Sequence, residues 1–284
     1  MGENDGKRRR EIVSDVSWPL DSLPEDFISK IVSLTSPRDA CVAATVSKAF
    51  ESAAESNVVW EKFLPPEYES LVPSSRNVSS KKKLYLALCD EPVLIDDGTK
   101  SFWLEKASGK KCIMLSAKNI SIIWGDDPRY WEWVTIPEAR FKSVAKLLWV
   151  CWFEIRGRVN TRVLSPRTRY SAYIVFKKMN HCYGFKDVAI EAGVGVVGHA
   201  ASTRFICFDT DMDGEYYPER GRRNLVKPEE RADGWMEVEL GQFFSGGELM
   251  DSDEIEMSAL EIKRLNVKTD LIIQGIEIRP AKIL

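Results

Sequence analysis

The stretch from Trp124 to Trp133, WGDDPRYWEW, holds three of the chain's nine tryptophans together with Tyr130. Aromatic rings offer flat apolar faces against which the C–H faces of sugars lie, while neighbouring Asp, Glu, Asn or Arg groups bond the hydroxyls. Between the rings stand Gly125, Asp126, Asp127 and Pro128. Each favours chain reversal: Gly by its freedom at positive φ, Asp by bonding its own backbone, Pro by its fixed φ. The stretch therefore reads as strand, tight loop, strand with rings on both arms, and its chemistry would be carbohydrate binding. Packing competes with that use, because strand parity puts Trp124 on the side of Ile120 and Ile122.

Other chemistry has less support. Only His181 and His199 are present, and there is no G-x-S-x-G elbow. The six cysteines (Cys41, Cys89, Cys112, Cys151, Cys182, Cys207) include no C-x-x-C pair and no histidine at metal spacing. Gly193, Gly195 and Gly198 spell G-x-G-x-x-G, but the preceding DVAIEA is a poor strand and RFICF soon follows, so a turn or Gly-rich loop is expected rather than a dinucleotide site. Asp209, Asp211, Asp213 and Gly214 open like an EF-hand loop, yet position twelve is Arg220 and Pro218 spoils the exiting helix, which leaves an acidic surface loop. A carboxylate pair for glycoside hydrolysis among Asp126, Asp127, Glu132 and residues 209–215 is the weakest option, because separation is invisible in sequence. No metal and no cofactor is expected.

A chain of 284 residues, 44% hydrophobic and 29% charged, is long enough for one large or two modest domains with real cores. A net charge of −3 and a pI near 5.7 give no global attraction to nucleic acid or to an anionic membrane. Lys7 to Arg10 lead into polar sequence rather than an apolar segment, and no apolar run has transmembrane length. The expectation is a cytoplasmic or nuclear protein with reduced thiols, in which the sequons at Asn77 and Asn119 have no use and the basic run is a solvated tail.

Four segments must position the aromatic stretch. Residues 1–20 are charged and aperiodic, the composition of a disordered tail. Residues 21–66 are helical. Pro24 suits a first helical turn, and Glu25 and Asp26 complement the helix dipole. Phe27, Ile28, Ile31, Val32 and Leu34 then make an apolar stripe. Ser36, Pro37 and Asp39 begin a second helix expected to run to about Ala54, and Val58, Val59, Trp60, Phe63 and Leu64 close the unit before Pro65. Residues 67–99 read as a connector with one short helix starting at Ser79 or Ser80. From residue 100 the period falls towards two, and eight short strands are expected around residues 112–117, 120–124, 150–159, 170–178, 204–208, 235–240, 255–263 and 271–278. Without long helical patterns between them they imply an antiparallel sandwich or jelly roll. The fold class is a small helical bundle followed by an all-β domain.

The helical segment resembles an F-box. Leu23-Pro24, Ile31, the Ser36-Pro37-Arg38-Asp39 corner, Val46 to Phe50 and the closing Trp60 carry the likeness. It implies docking on the S-phase kinase-associated adaptor of cullin-based ubiquitin ligases, with Leu23, Pro24, Ile28 and Ile31 as contacts. The β segment resembles the phloem protein 2 family, the Nictaba-like lectins, through residues 101–133, 141–159, 233–244 and 271–280 in order. That implies an N-acetylglucosamine-containing glycan held by Trp124 and Trp131, with Tyr130 and Asp127 as further candidates, while Trp133, Trp149 and Trp152 are assigned to packing. Together these make a non-catalytic receptor that presents a glycoprotein or protein target for ubiquitination. The alternatives are a lectin acting without the ligase and, behind it, a glycan-processing enzyme.

Overall fold

A computed structural model describes residues 23–71, 79–186, 188–209, 225–246 and 253–282. The expected tail, Asn77 and the acidic run from Asp211 to Asp213 lie outside the described residues. Helices come first. They are α1 (Glu25–Val32), α2 (Pro37–Ala43), α3 (Lys48–Glu55), α4 (Asn57–Phe63), α5 (Tyr68–Leu71) and α6 (Lys81–Asp90). The stripe of α1 divides between two uses: Ile28 and Val32 are buried in the bundle, whereas Phe27, Ile31 and Leu34 are exposed.

The long second helix expected from the alanine-rich pattern is two helices. Ser36 caps the first, its Oγ accepting from the Asp39 N–H at 3.1 Å. Thr45 and Val46 then fold back, their N–H groups donating to the Val42 and Ala43 carbonyls at 3.0 Å each. Ser47 takes extended geometry and accepts from Phe50 N–H, starting α3 afresh. A strong N-cap in the middle of a helical pattern is a break, which the periodicity concealed.

The strands follow in chain order: β1 (Val93–Ile95), β2 (Lys100–Leu104), β3 (Lys111–Ser116), β4 (Ser121–Ile122), β5 (Trp131–Val134), β6 (Val144–Leu147) and β7 (Phe153–Asn160). After them come β8 (Thr168–Tyr183), β9 (Ile190–Val196), β10 (Ser202–Ile206), β11 (Glu229–Glu230), β12 (Met236–Ser245), β13 (Glu254–Glu261) and β14 (Thr269–Pro280). Among the described residues they form two antiparallel sheets. One runs β1-β2-β3-β14-β8-β12-β11, with β6 also on β14 and β5 on β6; the other runs β10-β9-β13-β7-β4. The fold is thus helical at its start and an antiparallel sheet pair thereafter.

Alternation decides which side chains meet between the sheets. In β7, Phe153, Ile155 and Val159 are buried and Glu154, Arg156 and Arg158 point away. The first sheet is covered on its other face as well, by Phe141, Val144 and Trp235 packed against Met114, Val175 and Ile272. Burial on both faces is why β8 and β14 read as nearly continuous apolar runs.

The Gly-rich segment is a correction. DVAIEA looked too weak for a strand, yet Ile190–Val196 pairs with both β13 and β10, and Gly193 and Gly195 sit inside it. A Cβ on Gly195 would come within 2.7 Å of Ala201 Cα, so close backbone approach requires glycine there. The short helix expected from Ser79 or Ser80 is α6, which begins at a Ser80 cap and buries Leu84, Tyr85 and Leu88; residues 67–99 also hold α5 and, on the sheet edge, β1.

Candidate functional site

The aromatic stretch crosses from one sheet to the other. β4 ends at Ile122 in the five-stranded sheet and β5 starts at Trp131 in its neighbour. Between them the chain makes successive turns, with Gly125 N–H donating to the Ile122 carbonyl at 2.9 Å and Asp127 N–H to the Trp124 carbonyl at 3.0 Å. Trp124 has φ +53°. That left-handed backbone takes it off the parity of Ile120 and Ile122, and its ring is 43% exposed.

Tyr130 lies beside it, ring centroids 5.0 Å apart at 35°. Trp149 also packs on Tyr130, again at 5.0 Å and edge-on at 66°. Trp149 is 45% exposed. The ring cluster is therefore two exposed tryptophans, Trp124 and Trp149, each against the half-buried Tyr130. Trp152 is exposed nearby, its Nε1 donating to Glu154 Oε2 at 2.9 Å, and the Glu154 carbonyl accepts from Ile123 N–H at 3.0 Å. Arg156 is paired with Glu154 at 2.7 Å and holds its carboxyl below the usual carboxylate range.

Asp127 is spent on its own loop. Its carboxylate accepts from the Arg129 backbone N–H at 3.0 Å and from Nη2 at 2.6 Å, and Arg129 holds that carboxyl below its ordinary range. Arg129 itself leans over the Tyr130 ring at 5.4 Å. The carboxylate stays charged and fixed, and the guanidinium at the rim is the more accessible polar partner for a ligand.

Trp131 is placed otherwise than its resemblance implied. It is 2% exposed, and its Nε1 donates to the Ile123 carbonyl at 3.0 Å. Its ring stitches the turn to the core and has no face left for a ligand. Trp133 does the same one turn along, bonding the Gly125 carbonyl at 3.1 Å. The assignment of Trp149 and Trp152 to packing is likewise corrected, since both are exposed. Parity held a signal for Trp152, which alternates with buried Phe153, Ile155 and Val159 and shares the outward side with Glu154 and Arg156. Trp149 gave none, because it lies in an irregular segment.

The second surface is on the helices. Leu23, Pro24 and Ile31 are exposed, joined by Phe27 and Leu34, whose apolar side chains the bundle leaves uncovered. Ile28 is 1% exposed and belongs to the bundle core, so its expected place among the contacts is withdrawn. Among the described residues no group of three His, Cys, Asp or Glu is arranged to hold a metal, and Asp209 is paired with Lys178 at 3.0 Å. Among the described residues no helix is long and apolar enough to cross a membrane.

Comparison with known proteins bears on both surfaces. A family model described as Phloem protein 2 matches residues 110–280, and one described as F-box-like matches residues 20–65. The chain is 67% identical over 279 residues to F-box protein PP2-B10 of Arabidopsis thaliana, spanning 98% of this chain and 100% of that one. It is 60% identical over 275 residues to F-box protein At2g02240 of the same plant, covering 96% and 83% of the two chains. Identity to F-box protein SKIP3, also of Arabidopsis thaliana, is 56% over 283 residues, covering 99% and 94%.

Proposed function

Because the chain belongs to the F-box proteins that carry a phloem protein 2 domain, we propose that it is the non-catalytic substrate-recognition subunit of an SCF-type ubiquitin ligase. The helical unit docks on the S-phase kinase-associated adaptor and, through it, on cullin. The observation that carries this is the uncovered stripe on α1 and its two flanks: Leu23, Phe27, Ile31 and Leu34 stay exposed while Ile28 and Val32 of the same helix are buried. An amphipathic helix that shows a second apolar stripe to water is built to lay it in a groove.

The β unit selects the target. Trp124 and Tyr130 form a ring platform with Arg129 at its rim, the arrangement that suits an N-acetylglucosamine-containing glycan on a glycoprotein. Holding the target beside the ligase turns ubiquitin transfer into a local event. Recognition of this kind needs neither a metal nor a cofactor, and the work would be done in cytoplasm and nucleus.

Pull-down of purified adaptor by the full chain tests the docking half. Wild type is expected to retain adaptor, and Leu23→Ala combined with Ile31→Asp to lose binding by about tenfold or more, as expected when interface anchors are removed. Failure of the folded wild type to bind adaptor would overturn it and favour a lectin that works without the ligase.

A further inference from the structure

One buried charge pair is bonded to the segment that carries Trp149. Lys268 is 0% exposed, and its Nζ stands 2.5 Å from Glu261 Oε2. The same Nζ donates to the carbonyl of Cys151 at 3.2 Å, to that of Asn266 at 3.0 Å and to Asn266 Oδ1 at 3.2 Å. Its backbone makes a two-way bridge: Val150 N–H to the Lys268 carbonyl at 3.0 Å and Lys268 N–H to the Val150 carbonyl at 2.8 Å. Glu261 is anchored in turn by the N–H groups of Lys263 at 3.2 Å and Arg264 at 2.9 Å.

The neighbours of Trp149 are thereby pinned on both sides. Leu148 N–H donates to the Tyr130 carbonyl at 2.9 Å, and Val150 and Cys151 are held by Lys268. Residues 148–152 fall between β6 and β7 and have no strand ladder of their own. An exposed tryptophan on such a segment would sweep several orientations, and ordering it would weaken binding. A buried lysine is costly to desolvate, and an apolar side chain of like volume would fill the space without that penalty. Only the lysine also satisfies the Cys151 and Asn266 carbonyls.

We propose that Trp149 is a third ligand-contacting ring and that Lys268, with Glu261, is the positioning pair that holds it against Tyr130. The assignment rests on the carbohydrate function proposed above. Preorganised rings, rather than more of them, are what the pair contributes.

The test uses the full chain, an N-acetylglucosamine trimer as probe, three variants and the combination of the first two. Trp149→Ala removes the ring. Lys268→Met with Glu261→Leu removes both charges together, so that neither is stranded in the core. Lys268→Gln with Glu261→Gln keeps a donor for Cys151 and drops the ion pair without stranding a charge. Trimer affinity by calorimetry is expected to fall about tenfold in the first two and less in the third, with adaptor pull-down unchanged. The near-ultraviolet circular dichroism contribution of Trp149, read as the difference between wild type and Trp149→Ala, is expected to be lost in the charge-free variant while far-ultraviolet signal persists. In a Trp149→Ala background the charge-free substitutions should cost no further affinity; an additive loss would mark a merely structural pair and overturn the positioning role. Wild-type affinity in Trp149→Ala would overturn the contact. Absence of trimer binding by wild type would remove the carbohydrate function and the contact with it, while the near-ultraviolet band would still decide whether Lys268 orders the ring.

Discussion

At the scale of single residues, three neighbouring tryptophans have three different fates. Trp124 leaves its strand through a left-handed backbone step and shows its ring, Trp131 is sealed in the core, and Trp133 is half-buried with Lys118 Nζ 3.3 Å over its ring. Alanine scanning of glycan binding would confound them. Trp131→Ala removes a fully buried ring and the bond to Ile123, a change that costs about 3–5 kcal/mol, so it should lower the melting midpoint sharply and abolish binding through misfolding. Trp124→Ala should leave the midpoint almost unchanged while weakening glycan binding. Thermal melts run beside the binding assay separate the two; a stable Trp131→Ala variant would contradict the core placement.

At the scale of elements, the outward face of β8, β12 and β14 carries a largely buried network. Arg279 Nη1 lies 2.8 Å from Glu237 Oε2 and 2.6 Å from Glu277 Oε1, and Arg231 Nη1 lies 2.6 Å from Glu237 Oε2. Arg279 also stacks over the Tyr173 ring at 3.8 Å. Burial pushes the Glu237 carboxyl up, but Arg279 and Arg231 outweigh it and hold the group below its ordinary value. The folded value is thus depressed, so the network stabilises the fold above the unfolded glutamate pKa of about 4.3 and loses that contribution as pH falls through the folded value. Melting midpoints from pH 7 to pH 3 should drop on the acid side. Glu237→Gln should lower the midpoint at pH 7 and flatten the acid loss; an unchanged acid slope would exclude Glu237 as its source.

At the scale of the whole molecule, helices and sheets share one core. Tyr85 Oη on α6 donates to the carbonyls of Glu105 and Lys106 at 3.2 and 3.0 Å, Arg38 N–H donates to the Ala107 carbonyl at 3.2 Å, and Lys111 pairs with Glu67. Gly109 sits at φ +70°, where an added Cβ would meet Pro37 Cγ at 3.3 Å and the Phe63 carbonyl at 3.4 Å. The turn between β2 and β3 is therefore wedged into the helical bundle, and adaptor surface and ring cluster are carried on one body. Differential scanning calorimetry of the full chain should show one cooperative transition, and Tyr85→Phe should lower it by about 0.5–1.5 kcal/mol without splitting it. Two separated transitions would show that the units unfold independently.

Much of this was written locally. N-caps at Ser36 and Ser80, the apolar stripe of α1 and the period-two runs from residue 112 onward follow from side-chain chemistry within a few residues, and so did the helical-then-β class. The ring cluster around Asp127 and Pro128 was legible as a turn for the same reason. Tertiary structure decided what alternation could not. It turned Trp124 outward through one positive φ, buried Trp131 and Ile28 against strands and helices remote in sequence, and made a strand of the glycine-rich segment by pairing it on both sides. It also brought Trp149 beside Tyr130 through the β5–β6 pairing and tied Val150 and Cys151 to Lys268, more than a hundred residues further along the chain. Burial and ring adjacency are properties of long-range packing, and no local pattern contains the partner.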